Sequence, residues 1–197
     1  MKQTSIPLYP LVWLIILYTL LHLWLFIPTS LYGNQMNFNK NDARSLRDSL
    51  LTIASNEWQM PKEDILENMD KIAFVESKNV IDAIQESGGP GRGMFQYEIG
   101  KGQGAHTAIN RLINIFDHTP TFLEGLTSKD YDISGLSKDA QETLFLADKL
   151  KDLTASFKGI DTDEKLAREW ADEHYAGPET KKSDKIKFFL KELGFFK

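Results

Sequence analysis

Apolar and polar positions alternate along this chain in two different ways, and each predicts a different element. From Leu8 to Ile27, the run LYPLVWLIILYTLLHLWLFI continues for twenty residues without a charge. As a helix it is long enough to cross the roughly 30 Å hydrocarbon core of a bilayer. Secretory signals have shorter apolar cores of about 7–15 residues that close on small residues, whereas this run closes on Pro28, Thr29, Ser30 and Leu31. Residues 1–28 are therefore predicted to be an uncleaved N-terminal transmembrane anchor, with a cleaved signal as the alternative. Tyr9 and Trp13 near one end, and Trp24, Phe26 and Tyr32 near the other, suit interfacial belts. Lys2 on one side and Lys40, Arg44 and Arg47 on the other leave the orientation open.

Residues 29–41 are polar, asparagine-rich and without apolar period, and are predicted to be a linker. From residue 42 to residue 197 the pattern is helical. A first stripe of Ala43, Leu46, Leu50, Ile53 and Ala54 follows Asn41 as a cap. A second helix opens at Pro61, with Glu63 and Asp64 in its first turn to complement the positive end of the dipole. Ala105, Ala108, Ile109, Leu112 and Phe116 form a third stripe. Ser137 begins a fourth helix with Leu146, Leu150 and Leu153 on its apolar face. Asp161 with Glu164 reads as a capping box for a fifth, which Gly177 and Pro178 stop. A sixth runs from Ser183 to Gly194. Only Met94 to Tyr97 reads as extended, so the predicted fold class is mainly α with at most a very small β element.

One carboxylate breaks the pattern. Ile65, Met69, Ile72 and Ala73 mark the buried stripe of the second helix, and stepping eleven from Ile65 lands on Glu76. A carboxylate kept from water on that face is suited to donating a proton. The bland alternative is that the helix ends early and Glu76 reaches solvent. Ten residues on comes ESGGPGRGMFQ, whose glycines permit positive φ and close approach of a polymer to the main chain. It is not a phosphate loop, because the G-x-x-x-x-G-K-[ST] pattern is absent and Pro90 removes an amide donor. A plain surface turn is the other reading.

Composition removes whole classes of chemistry. The absence of cysteine excludes disulfides and thiolate nucleophiles. A formal charge of -5 argues against a phosphate-tracking surface, so no nucleic-acid partner is expected. His22, His106, His118 and His174 are scattered without metal-ligand spacing, so no metal and no cofactor are expected.

Glu76-Ser77, then Gly91-Arg92-Gly93-Met94-Phe95-Gln96, then His174-Tyr175-Ala176-Gly177 form an ordered trio. The trio resembles the soluble lytic transglycosylase and goose-type lysozyme superfamily, with its E-S, G-x-x-Q and A-Y-N-A-G elements. The resemblance covers roughly residues 60 to 180. In the third element Ala176 and Gly177 align, while His174 stands where the family has tyrosine and Tyr175 where it has asparagine.

The resemblance implies a lysozyme-like helical domain over residues 42–197. It also implies cleavage of the β-1,4 bond between N-acetylmuramic acid and N-acetylglucosamine in peptidoglycan. Glu76 would act first as acid and then as base, the sugar's own 6-hydroxyl supplying the attacking oxygen in place of a second carboxylate. Ser77, Gly93, Met94, Phe95 and Gln96 would contact the glycan, and His174 or Tyr175 would hydrogen-bond the Glu76 carboxyl. An ordinary strand-end amide is the alternative for Gln96, simple packing for Tyr175, and core packing in preference to a sugar platform for Trp170. With the apolar run 8–27 in a bilayer, the catalytic domain would face the cell wall, in a virion or at the periplasmic side of an inner membrane, among virion or envelope-complex proteins. Two other functions fit the same residues: a hydrolytic lysozyme with Glu86, Glu98, Asp172 or Glu173 as second carboxylate, and an inactive lysozyme-like structural membrane protein.

Overall fold

The computed structural model describes residues 43–150, 157–174 and 178–195. The expected membrane span 8–27, the linker 29–41 and Leu153 lie outside the described residues. Among the described residues no helix is long and apolar enough to cross a membrane.

Six α-helices carry the described fold, as the stripes predict: α1 (Ala43–Trp58), α2 (Lys62–Ser77), α3 (Gly104–Phe116), α4 (Lys138–Lys149), α5 (Asp163–His174) and α6 (Glu179–Glu192). Helix α1 buries Leu46, Leu50, Ala54 and Trp58, and α2 buries Ile65, Met69, Ile72 and Ala73. Pro61 occupies the N-cap position of α2, where its missing amide costs nothing. Helix α4 packs against both α1 and α3, and α5 packs against α6. Nearly every residue of α4 is buried, including Gln141, Glu142 and Thr143. The polar ones are satisfied: Glu142 accepts from Arg47 of α1 at 2.9 Å, and the Thr143 hydroxyl donates to the carbonyls of Asp139 and Ala43.

Three boundaries differ from the sequence pattern, each for a local reason. Helix α5 starts at Asp163, with Thr162 Oγ1 accepting the Lys165 amide hydrogen at 3.3 Å. Asp161 lies one residue outside and forms an exposed ion pair with Lys165. Helix α6 begins at Glu179, four residues before Ser183, because Pro178 with φ -64 and ψ 152 takes the N-cap position. The extended segment is a hairpin: β1 (Gly91–Arg92) pairs antiparallel with β2 (Tyr97–Glu98), and residues 93–96 form the turn. Positive φ at Gly93 (72°), just before the segment that reads as extended, and at Gln96 (50°), inside it, turns the chain.

Candidate functional site

Helix α2 holds its pattern to the last turn, and this places Glu76. Lys78 (φ 58) and Asn79 (φ 62) both take left-handed conformations. Their amides return to the Phe74 and Ala73 carbonyls, closing the helix one residue beyond Ser77. Glu76 therefore remains helical and is half-buried. Its Oε1 accepts a 2.6 Å hydrogen bond from the indole N–H of Trp170 on α5. The Trp170 ring is buried and lies 5.2 Å from Phe189 of α6, so the donor is carried on a packed element.

Glu76 lines a groove of about 500 Å³ together with Gln85, Gln96, Tyr97 and Glu98. Ile72, Phe95 and Phe145 supply its apolar wall, and Asp148 and Lys149 of α4 close one side. Phe95 stacks on Phe145 at 4.3 Å, which couples the hairpin turn to α4. Asp148 is committed to the protein: Arg111 pairs with it, and the Tyr97 hydroxyl donates to it at 3.3 Å. Burial pushes the Tyr97 phenol well above its ordinary value, the Arg111 charge opposing, so this hydroxyl stays a donor. Lys149 lies with its ammonium 5.2 Å from the Phe145 ring centre. Glu98 is exposed in the groove and forms no ion pair among the described residues.

The residues expected to contact substrate divide into two groups. Phe95 and Gln96 line the groove with Glu76. Ser77, Gly93 and Met94 act in the frame beneath it. The Ser77 hydroxyl donates to the carbonyls of Ala73 (3.1 Å) and Met94 (2.9 Å), stitching the end of α2 to the hairpin turn. Met94 is buried, and its amide donates to Gln141 Oε1 at 2.8 Å. A Cβ on Gly93 would come within 2.3 Å of that same Oε1. Gln96 also serves the turn, its side-chain amide donating to the Gly93 carbonyl at 2.8 Å. The glycines of the loop thus make room for the protein's own glutamines, Gln85 crowding Gly89 and Gln141 crowding Gly93. His174 is the last residue of α5, and Tyr175, Ala176 and Gly177 lie outside the described residues.

Two participants do not stand out in the sequence. Gln141, fully buried, joins three chain segments by accepting from Met94 and donating to the Ile81 and Leu136 carbonyls at 2.8 and 3.1 Å. A signal was present, because Gln141, Phe145, Asp148 and Lys149 recur at helical spacing and share a face. Trp170 sits one turn before His174 on α5, where a donor to Glu76 was anticipated from the next turn of the chain.

Among the four carboxylates considered as partners of Glu76, Glu98 lines its groove. Glu86 lies in an exposed short turn, and Asp172 pairs with Lys182 at 2.8 Å. No metal-holding cluster of acidic or histidine side chains occurs among the described residues. Chemically, the arrangement offers one oriented carboxyl group in an open groove with amide and phenyl groups beside it. Such a group can give a proton to an atom bound in the groove and take one back. No family model matches the chain, and neither a curated protein nor a solved structure is found similar to it.

Proposed function

We propose that this protein is a membrane-anchored, lysozyme-like lytic transglycosylase that cuts peptidoglycan strands locally, in the manner of a phage or envelope machine opening the wall. The observation that carries the reading is that Glu76 and Gln96, twenty residues apart in sequence, line one groove, with the Glu76 carboxyl held by Trp170. In the proposed reaction Glu76 protonates the glycosidic oxygen as the bond from C1 of N-acetylmuramic acid to that oxygen breaks. The 6-hydroxyl of the same sugar then bonds to C1 and returns its proton to Glu76. Atoms balance without water, and the product ends in a 1,6-anhydro ring. General acid–base assistance of this kind contributes about 10²–10⁴-fold, with positioning in the groove supplying the rest.

Glu98 favours one second reading, hydrolysis, since a second carboxylate in the same groove could orient a water. The full chain in detergent, incubated with purified sacculi, separates the readings by product mass: anhydromuropeptides for the transglycosylase, products heavier by one water for the lysozyme. Glu76→Gln is expected to abolish release. Equal clearing by this variant defeats both readings, and wall binding with no turnover in the parent chain identifies a structural protein.

A further inference from the structure

Among the described residues few large apolar side chains are left exposed; Phe188 (44% exposed) lies on α6 and Phe195 (52%) just past its end. At 100° per residue, Lys181, Lys185, Phe188 and Lys191 fall on one stripe, opposite the face that buries Phe189 and Leu190 against the core, and Phe195 is exposed after the left-handed turn at Gly194 (φ 88°) that follows the helix. Lys181, Lys187 and Lys191 are exposed, and the Lys185 ammonium lies 5.8 Å from the Phe188 ring centre. Two acids share this side. Asp184 is exposed, and Glu192 is held by Lys78 from the end of α2. With Glu192 held by Lys78, the exposed Lys181, Lys187 and Lys191 against Asp184 make this side of α6 locally positive on a chain whose formal charge is -5. The segment after Lys78, whose ammonium pairs with Glu192 of α6, exposes Val80 and Ile81 as well.

We propose that this face of α6 rests on an anionic lipid surface, the phenyl rings entering the headgroup boundary and the lysines pairing with phosphates. Apolar side chains ringed by lysine on one helix face are what such a surface binds, with affinity from both buried area and charge. The inference goes beyond the glycan-cleaving reading and stands on α6; the expected span at 8–27 adds tethering.

The chain has no cysteine, so a single introduced thiol reports unambiguously. The full chain carrying Phe188→Cys or Phe195→Cys, labelled with a polarity-sensitive dye, is mixed with vesicles of phosphatidylcholine alone or with about 30% phosphatidylglycerol. The expected result is a blue-shifted emission, quenched by brominated lipid, in the anionic vesicles. It should be reversed by about 0.5 M salt and weakened about fivefold for each of Lys181, Lys187 and Lys191 changed to Gln. A label at Glu124→Cys, in the turn after α3, should stay unshifted. Emission that is the same in buffer and with anionic vesicles overturns the proposal, and equal shifts in neutral vesicles overturn its anionic character. Flotation with the phosphatidylcholine vesicles reads the 8–27 anchor separately: no flotation there, with the shift retained on anionic vesicles, removes the anchor and leaves the face.

Discussion

The hydrogen bond from Trp170 to Glu76 has a direction, and the direction carries a prediction. An indole N–H is a donor only, so it fixes Oε1 as an acceptor and orients the carboxyl in its groove. A hydrogen bond to a charged group contributes about 1.5–3 kcal/mol, which corresponds to roughly tenfold to a hundredfold in rate if it is made where the chemistry occurs. Trp170→Phe keeps a ring to pack on Phe189 and removes the donor. Release of muropeptides from sacculi is expected to fall by about that factor, with the melting temperature lowered by only a few degrees. A variant that keeps full activity shows that the contact does not orient the acid. Glu76 was legible in the sequence because helical addition alone carries Ile65 to its face. The partner was not legible, since the two residues lie 94 positions apart and meet only where α2 and α5 come together.

At the level of elements, the turn between β1 and β2 depends on a glutamine from α4. Gln141 Oε1 occupies the space a side chain at 93 would need, and Gly93 has φ 72°, so two penalties coincide there. Gly93→Ala should destabilise the domain by at least about 2 kcal/mol, read from the denaturation midpoint. The two penalties can be told apart by a double-mutant cycle. Gln141→Ala removes the clash but leaves the left-handed φ, so Gly93→Ala should cost less in that background than in the parent. Additive costs show that the two side chains do not compete. The helices were legible because apolar stripes report burial directly, and the hairpin was not, because its bend comes from positive φ at Gly93 and Gln96 that no hydropathy pattern marks. The fifth helix shows the same limit: Asp161 and Thr162 both have capping side chains, and only the backbone decides that Thr162 is used.

For the whole molecule, acidic excess is a property of the sequence, but its effect on stability depends on where each carboxyl is folded. Glu169, half-buried beside Trp170 on α5, is held above its ordinary value by desolvation, with Lys149 opposing and the negative charge of Asp172 reinforcing. The folded chain therefore keeps this proton to higher pH than the unfolded chain does. Its contribution is favourable below the ordinary carboxylate range and declines as pH rises into the raised folded range, leaving a penalty near neutrality. Solvent reaches this side chain, so screening makes the penalty small. Glu169→Gln removes the titration and keeps the size of the side chain. At about pH 7 the variant should melt roughly 1–3 °C higher than the parent, and at about pH 4 or below the two should converge. Every other titrating group is common to the two chains and cancels in the difference, which isolates this one carboxyl from the acidic remainder. A gain that persists unchanged in acid would mean that Gln packs better there, and a loss at neutral pH would mean that the charge of Glu169 is used, with Lys149 as its partner.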